Sequence, residues 1–576
     1  MITEFYEPEI KLNKYQFLLE VLTSWGITSY CGVTGGGVIH FLKYLEPLQG
    51  MQTKEPSFFT ISEYVAGFIP LGYYLAGGNI AAAVATTGAA TKLLTCGLSD
   101  AKLHNIPSIY IVPIINKDSI GFSALQDTSV HGSNIVEQLR AELPNSVFIL
   151  DNPLTMARQL ALAKEQLDYS KPIVLILDNS SINSDMPQLV QTEYQPSIKE
   201  SQDFSWFITD LRKASYNKRL VILIGEEMAN HSDAAVLTSQ LSEILKAATI
   251  WSINGANAIS PHNRYGYGYI SFGGNDKATE LYNSLGEKDV LLILGACPDE
   301  YTTNLSQFGA SHTFFVNDIV DAYGLVDNSL RHVANGIYHQ IQVPLEKFVA
   351  AFIENAKEQP FLNLPATIAP DDLNNKAFSK PRNGYVNMAD LYLRLNKWWP
   401  AGSIGVDDVC LAYKDRQYVT QRPNKNIRFF SLYRGSAMGG AFGAAIGAKL
   451  SKPHSLVALF TGDGCFRLFA GSLGEAAELG LVIFLLNNET LSIVEQGLQK
   501  ILPDIPEANY HATVISIDYC KIAKACGWDA VKLKPDLSNL KGILQKISKT
   551  KRRSLLIEVP VDPLQILGNN PRLGNL

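Results

Sequence analysis

The stretch Ser455-Leu-Val-Ala-Leu-Phe-Thr-Gly-Asp-Gly464 and the later run Leu481-Val-Ile-Phe-Leu-Leu-Asn-Asn488 decide the fold of this chain. Each begins with apolar residues suited to a short strand that is buried on both faces. Between them, residues 467–479 place apolar side chains at helical spacing, which predicts a helix. A strand, a helix and a strand of this length form a right-handed crossover between parallel strands. The sequence therefore predicts a parallel α/β sheet here.

Polar groups end both apolar stretches. Asp463 follows the first stretch and Asn488 follows the second. Open parallel sheets bind ligands at the carboxyl ends of their strands, so we expect these two side chains to face one crevice. Their oxygens, with the carbonyl of Thr490, suit Mg²⁺, which takes few protein ligands and completes its shell with phosphate and water. Gly462 and Gly464 would let a phosphate approach the backbone closely. A lone Gly-Asp-Gly is more often a tight turn, but the second motif favours a diphosphate and metal site.

Together the two motifs resemble the cofactor-anchoring signature of thiamine diphosphate enzymes. The surrounding chain is similar to the acetohydroxyacid synthase, pyruvate oxidase and pyruvate decarboxylase family. The resemblance covers nearly the whole chain and is weakest in its middle third. It implies an α/β fold of three consecutive domains with mostly parallel sheets. It also implies thiamine diphosphate and Mg²⁺ as cofactors, with Asp463, Asn488 and Thr490 as the metal ligands.

Length and composition agree with that layout. A chain of 576 residues has room for three or four domains. Polar stretches at residues 183–204 and 359–383 are predicted to be linkers. We therefore predict a pyrimidine-binding domain at residues 1–183, a central domain at 205–350 and a diphosphate-binding domain at 385–576. Apolar runs in the first two domains predict strands at residues 27–31, 58–61, 81–85, 108–112, 172–177, 220–224, 290–294 and 313–316.

Two polar residues of the first domain are candidate catalytic groups. Glu63, in Thr60-Ile-Ser-Glu63, opens an apolar helix and resembles the family's activating glutamate. The alternative is that Glu63 is an ordinary first-turn residue that the helix dipole favours. Gln126, in Ala124-Leu-Gln-Asp127, is similar to the glutamine that lies near the reactive carbon in the carboligases of the family. The alternative is that Gln126 is simply a polar loop residue.

A third candidate is a methionine near the C-terminal third of the chain. The stretch Tyr433-Arg-Gly-Ser-Ala-Met-Gly439 resembles the segment that wedges the cofactor into a bent shape, with Met438 as its bulky apolar residue. The alternative is that Met438 is simply a core residue. In the loop after Asp408, Cys410 and Leu411 stand where the synthases carry Gly-Gln. The resemblance implies cofactor contacts from Glu63, Gly435, Ser436, Met438, Gly462, Asp463, Gly464, Cys465, Asn488, Thr490, Cys410 and Leu411.

Departures from the family pattern bear on the reaction. Decarboxylases of the family carry a second glutamate where this chain has Val494, and a His-His pair where it has Val130 and His131. The synthases carry tryptophan where this chain has Gly497, which predicts a larger acceptor pocket. These departures predict decarboxylation of a 2-oxo acid donor followed by carboligation to a second carbonyl compound, as in acetolactate synthases. A decarboxylase that releases an aldehyde and a non-catalytic regulatory relative remain alternatives.

Composition excludes several other classes. A net charge of −6 gives no reason to expect nucleic acid, and no apolar run reaches membrane-spanning length. Seven cysteines without CxxC pairs predict reduced thiols and a cytoplasmic enzyme. The resemblance implies a homo-oligomer, either a dimer or a tetramer, and it leaves FAD in the central domain open. The glycine-rich turn Gly32-Val-Thr-Gly-Gly-Gly37 lacks the full dinucleotide pattern, and we predict a packing role for it.

Overall fold

The computed structural model describes residues 12–48, 55–181, 186, 203–325, 330–505, 508–549 and 552–576. The chain divides into two compact units. The first comprises Met1–Ile198 with Leu450–Pro453, and the second comprises Lys199–Lys449 with His454–Leu576. The first unit carries one parallel sheet and the second unit carries two.

The sheet of the first unit has the strand order β2-β3-β1-β4-β5-β7-β6. Strands β5 and β7, paired in parallel, are almost wholly buried, as continuous apolar sequence requires of a strand covered on both faces. The elements of this unit are α1 (Lys14–Ser24), β1 (Ser29–Gly32), α2 (Ile39–Leu42), β2 (Glu46–Pro47), β3 (Ser57–Thr60), α3 (Glu63–Gly77), β4 (Ala82–Val84), α4 (Ala89–Leu103), β5 (Ile109–Ile114), α5 (Ile135–Glu142), β6 (Val147–Leu150), α6 (Pro153–Asp168) and β7 (Ile173–Asp178).

Helix α3 packs closely against α4. A Cβ on Gly67 would lie 2.3 Å from the carbonyl oxygen of Leu94, so only glycine permits this approach. The helix begins at Glu63 and ends at Gly77, and the following Gly78, with a φ of 74°, provides a left-handed C-cap. The tight packing fixes the first turn of α3, and with it the position of Glu63.

The first sheet of the second unit has the order β10-β9-β8-β11-β12-β13. Its core joins strand residues such as Ile222 and Leu292 to flanking helices through Phe207, Leu241 and Phe348. The elements are α7 (Ser205–Ala214), β8 (Arg219–Ile224), α8 (Ala234–Leu245), β9 (Ala248–Trp251), β10 (Gly266–Tyr269), α9 (Asp276–Asn283), β11 (Asp289–Leu294), α10 (Glu300–Thr303), β12 (His312–Asn317), β13 (Ile337–Gln342) and α11 (Leu345–Glu358).

The second sheet of this unit has the order β15-β14-β16-β17-β19-β18, and all its pairs are parallel. The neighbours β16 and β17 are the two apolar stretches that precede Asp463 and Asn488 in the sequence. The elements are α12 (Met388–Trp398), β14 (Ser403–Asp407), α13 (Ala412–Thr420), β15 (Ile427–Ser431), α14 (Gly440–Ser451), β16 (Val457–Gly462), α15 (Asp463–Phe466), β17 (Val482–Asn487), α16 (Ser492–Ile501), α17 (Tyr519–Ala525), β18 (Asp529–Lys532), α18 (Leu540–Lys549) and β19 (Leu555–Pro560).

The predicted fold class, three consecutive α/β domains with parallel sheets, is confirmed. The predicted helix at residues 467–479 is wrong. The chain forms α15 and then two separate 3-10 turns, Ala470–Ser472 and Gly474–Ala476, because Gly471 and Gly474 weaken a continuous helix there. Nine strands were not predicted, namely β2, β6, β9, β10, β13, β14, β15, β18 and β19.

The domain boundaries stay predictions. The linker predicted at residues 183–204 lies almost entirely outside the described residues. The linker predicted at 359–383 is fully described and contains no helix or strand. Among the described residues, no helix is long and apolar enough to cross a membrane.

Candidate active site

A cleft with a volume of about 240 Å³ opens at the carboxyl edge of the last sheet, where β16 and β17 end. It gathers ten residues predicted to contact the cofactor: Cys410, Leu411, Ser436, Met438, Gly462, Asp463, Gly464, Cys465, Asn488 and Thr490. Gly435 is next to Ser436 in the chain but does not line the cleft. Glu63 and Gln126 belong to the first unit.

Asp463 is the most deeply buried carboxylate among the described residues that line this cleft. It begins α15 directly after β16 and is 1 % exposed. One carboxylate oxygen accepts from its neighbour's backbone, Gly464 N, at 3.0 Å, and the other accepts from Glu489 N at 2.8 Å. Burial raises the pKa of Asp463 to about 6, although both backbone N–H groups oppose the shift. A bound cation would remove this desolvation cost by pairing with the carboxylate.

Asn488 and Thr490 lie beside Asp463 at the end of the neighbouring strand. The amide nitrogen of Asn488 donates to Ser492 Oγ, and its amide oxygen accepts from Thr490 N at 3.3 Å. Glu489 between them has a φ of 58°, a left-handed conformation that costs free energy in a non-glycine residue. The strained turn brings the two predicted metal ligands to the same edge as the carboxylate.

The residues at this edge fit a diphosphate held through Mg²⁺. A Cβ on Gly464 would lie 2.5 Å from Leu491 and 3.4 Å from Met438, so the glycine leaves floor space that a side chain would fill. Among the described residues there is no cluster of three His, Cys, Asp or Glu side chains that could hold a metal. The donor set is one carboxylate, one amide and one backbone carbonyl. Mg²⁺ accepts such a set because phosphate and water complete its octahedron.

Met438 lies on a turn whose two ends are conformationally unusual. Ser436 has a φ of 50° and its hydroxyl donates to Tyr433 O at 2.9 Å, while Gly439 has a φ of 80°. Met438 lines the cleft between these residues. The turn therefore presents a large apolar side chain to the same space that Asp463 faces.

Asp408 is a buried carboxylate that was not predicted to contribute to the site. Its carboxylate accepts from Gly439 N at 2.9 Å and from Thr461 Oγ1 at 2.7 Å. It thereby ties the Met438 turn to the end of β16, immediately before Gly462. Burial raises the pKa of Asp408 to about 6. An acidic doublet, Asp407-Asp408, at the end of an apolar run was the signal that could have found it.

In the first unit, Glu63 and Gln126 have distinct surroundings. Glu63 is half-buried in the first turn of α3. Gln126 has a φ of 57°, and its side-chain oxygen accepts from Thr87 Oγ1 at 2.7 Å. That contact leaves the amide N–H groups of Gln126 as the side that can donate to a ligand.

The expectation that Gly497 enlarges the acceptor pocket is wrong. Gly497 lies within α16, is buried and does not line the cleft. A Cβ there would lie 3.1 Å from the Cδ1 of Leu576, so the C-terminal residue occupies the space that a larger side chain would take. Val494, one turn earlier, does line the cleft and is 47 % exposed.

At the carboxyl edge of the central sheet, acidic side chains are engaged by other groups of the protein. Glu226 follows β8, Asp299 follows β11, and both contact the guanidinium of Arg434, with Arg434 Nε 2.8 Å from Asp299 Oδ2. Glu227 accepts from the backbone N–H of Asp318 at 2.7 Å. A dinucleotide would bring its negative pyrophosphate against carboxylates that the protein's own groups already engage.

Comparison with known proteins defines the class. The family description "Thiamine pyrophosphate enzyme, N-terminal TPP binding domain" matches residues 13–134, and "Thiamine pyrophosphate enzyme, C-terminal TPP binding domain" matches residues 413–559. The second match contains Met438, Asp463 and Asn488. The chain belongs to the thiamine pyrophosphate (thiamine diphosphate) enzymes of the acetohydroxyacid synthase, pyruvate oxidase and pyruvate decarboxylase family.

Within that class the chain is similar to acetolactate synthases. It is 24% identical over 502 residues to acetolactate synthase isozyme 1 large subunit of Escherichia coli K12, covering 84% of this chain and 82% of that one. It is 21% identical over 603 residues to the acetolactate synthase large subunit of Haemophilus influenzae, covering 97% of each. Among solved structures, the thiamine diphosphate-dependent 4-hydroxybenzoylformate decarboxylase of Rhodococcus jostii RHA1 aligns with a TM-score of 0.77 at 17% identity, covering 96% of this chain and 99% of that one. This last likeness supports the fold.

Proposed function

We propose that the protein catalyses the thiamine diphosphate- and Mg²⁺-dependent decarboxylation of a 2-oxo acid and then ligates the remaining acyl unit to a second carbonyl compound. The observation that carries the proposal is the shared cleft, in which Asp463, Asn488 and Thr490 meet Met438 and an apolar wall. Thiamine diphosphate supplies, when bound, an electron sink for the bond that breaks as CO₂ leaves. Similarity to acetolactate synthases supports the ligation step.

The chain's own residues would hold and orient the cofactor. Asp463, Asn488 and the carbonyl of Thr490 would bind Mg²⁺ and through it the diphosphate. Met438, large and adaptable, would pack against the cofactor's ring system. Asp408 positions this machinery, because one carboxylate fixes both the Met438 turn and the end of β16.

Glu63 and Gln126 would serve the reacting end. A glutamate can share a proton with the pyrimidine N1′, which raises the basicity of the amino group opposite. The amide of Gln126, oriented by Thr87, would donate to a substrate oxygen. In the family these residues meet the diphosphate site across a subunit interface, so we propose a homodimer as the minimal active form.

The apolar wall favours ligation over protonation. Leu491, Ile493 and Val494 line the cleft at the start of α16. None of them can deliver a proton, whereas a glutamate at position 494 could. Because Leu491, Ile493 and Val494 carry no acid, a second carbonyl compound competes better with a proton for the reacting carbon.

Product analysis tests the proposal. Mass spectrometry of reactions with a panel of aliphatic and aromatic 2-oxo acids should show hydroxyketones, acidic or neutral, as the main products. Val494→Glu should shift the products towards aldehyde, and Val494→Gln, matched in size but without an acid, should not. Aldehyde as the dominant wild-type product across the panel would establish a decarboxylase instead. Cofactor binding without any CO₂ release would establish a non-catalytic relative.

A further inference from the structure

One cation lines the cleft. Among the described residues of its wall, Arg572 is the only one with a positive charge. The wall has two carboxylates besides Asp463, and both have cationic partners: Asp415 lies 2.7 Å from Lys414 Nζ, and Asp562 lies 2.7 Å from an Arg382 nitrogen. Arg572 is therefore the group that an anionic ligand in this cleft would approach.

The segment that carries Arg572 is fixed on two sides. On the first side, Asn570 donates to Gln496 of α16 at 2.9 Å, and Lys500 of α16 donates to Leu573 O. On the other, Asn304 donates to Pro571 O at 3.4 Å. The C-terminal 3-10 turn Pro571–Gly574 thus bridges α16 and the end of α10.

Arg572 itself is oriented before any ligand arrives. Its guanidinium lies over the ring of Tyr301, 5.1 Å from the centroid, and Nη1 donates to Tyr301 Oη at 3.1 Å. Nε lies 3.0 Å from Glu300 Oε1. A guanidinium has five N–H donors, so these two polar contacts leave donors for a ligand. The side chain is 31 % exposed, so a ligand can reach it.

Building on the proposed function, we infer that Arg572 binds the carboxylate of the acceptor and so selects a second 2-oxo acid over a neutral aldehyde. A planar guanidinium held in place matches a carboxylate bidentately. The donor is a poor candidate for this contact, because its carboxylate leaves as CO₂. A cation clamped on that carboxylate would stabilise the starting state more than the transition state. The carboxylate of an acceptor keeps its charge throughout, and the product would be a hydroxyketo acid.

Binding of an unreactive acid tests the inference without turnover. Lactate has no 2-oxo group, and lactamide is its neutral counterpart. Calorimetric titration of the enzyme loaded with thiamine diphosphate and Mg²⁺ should show that lactate binds more tightly than lactamide. Arg572→Gln should weaken lactate binding on the order of 10- to 100-fold and leave lactamide binding unchanged.

Two further variants separate lost charge from a displaced C-terminus. Arg572→Lys keeps the charge and should retain part of the preference for lactate. Arg394→Gln removes an exposed arginine paired with Asp390 on α12 and should change neither affinity. Equal lactate binding by wild type and Arg572→Gln would overturn the inference, as would the same loss in Arg572→Lys and Arg572→Gln.

Products complete the test. With pyruvate alone, wild type should give mainly a hydroxyketo acid, and Arg572→Gln should shift the products towards aldehyde or neutral hydroxyketone. If lactate binding depends on Arg572 but wild type forms no ligated product, the carboxylate site stands while the proposed ligation and the acceptor assignment fail. Ligation to acetaldehyde in preference to pyruvate by wild type would also overturn the acceptor assignment.

Discussion

Two edges of the second unit begin with similar sequence and end with different chemistry. At the last sheet, β16 runs into Gly462-Asp463-Gly464, and at the central sheet, β8 runs into Gly225-Glu226-Glu227. Each acid follows a buried parallel strand and a glycine. Asp463 faces a cleft, whereas Glu226 is engaged by Arg434.

The two edges differ in which residues from other parts of the chain lie beside the acid. The central edge receives Arg434, whose side chain is 3 % exposed and contacts two acids. The other edge receives small or neutral groups, such as Gly464 and Asn488, which leave room beside the carboxylate. An acid after a strand is therefore only a potential ligand, and the neighbouring elements decide whether it binds a metal or a side chain.

The largest expected effect is the loss of cofactor binding at the edge of the last sheet, where Asp463 lies. Asp463→Ala removes the only carboxylate of the proposed metal site, so retention of thiamine diphosphate and Mg²⁺ should be lost. Glu226→Gln, at the matched position of the central edge, should leave cofactor affinity unchanged. Calorimetric titration of both variants measures this. Unchanged cofactor affinity in Asp463→Ala would remove the distinction between the two edges.

A third acid extends the comparison to the first unit. Glu63 opens α3, and we propose that it exchanges a proton with the cofactor instead of binding metal. Glu63→Gln should still bind thiamine diphosphate, because the metal ligands are intact. Proton exchange at the thiazolium C2, followed by NMR in D₂O, should slow on the order of a hundred- to ten-thousand-fold. Wild-type exchange in this variant would show that Glu63 is misassigned.

At the central edge, a substitution should lower the stability of the protein. Arg434→Met removes a buried cation and leaves the partly buried Glu226 and Asp299 without it, which should cost about 3–5 kcal/mol in the free energy of unfolding. Arg394→Met, which breaks an exposed pair with Asp390, should cost less than about 1 kcal/mol. Urea unfolding of the two variants provides the comparison. Equal losses would mean that the central edge is no more tightly locked than the surface.

A smaller effect should appear as pH dependence. Burial, with Glu226 adding to it, raises the pKa of Glu227 from 4.5 to about 7. Between these values the folded protein holds a proton that the unfolded chain has lost, so this group makes stability fall as pH rises through that window. Glu227→Gln has no titrating carboxyl at this position and so lacks this pH dependence. Its stability relative to wild type should rise from pH 4.5 to pH 7, on the order of 1–3 kcal/mol, and then level off. Parallel pH profiles would contradict the assignment.

The sequence predicted the parts of the molecule that depend on local pattern. Strands such as β16 and β17 are buried on both faces, so their apolar runs are continuous and easily found. The ligands at their ends follow from parallel topology. The helix at 467–479 was mispredicted because helical spacing persisted through Gly471 and Gly474, where the chain turns instead.

Contacts between distant segments could not be predicted in this way. Leu576 lies against Gly497 only because the C-terminal segment folds back on α16. Arg434 fills the central edge from a turn more than a hundred residues downstream in the chain. Neither contact leaves a periodic or local signal, so the shape of the pocket and the state of the central edge became visible only in the structure.

The position of the bound metal would show directly which of the two edges binds it. Crystals grown with thiamine diphosphate and Mn²⁺ in place of Mg²⁺ would reveal the metal by anomalous scattering. We expect one strong peak in the cleft, within coordination distance of Asp463, Asn488 and the carbonyl of Thr490, and none beside Glu226 and Asp299. A peak at the central edge, with the cleft empty, would contradict it.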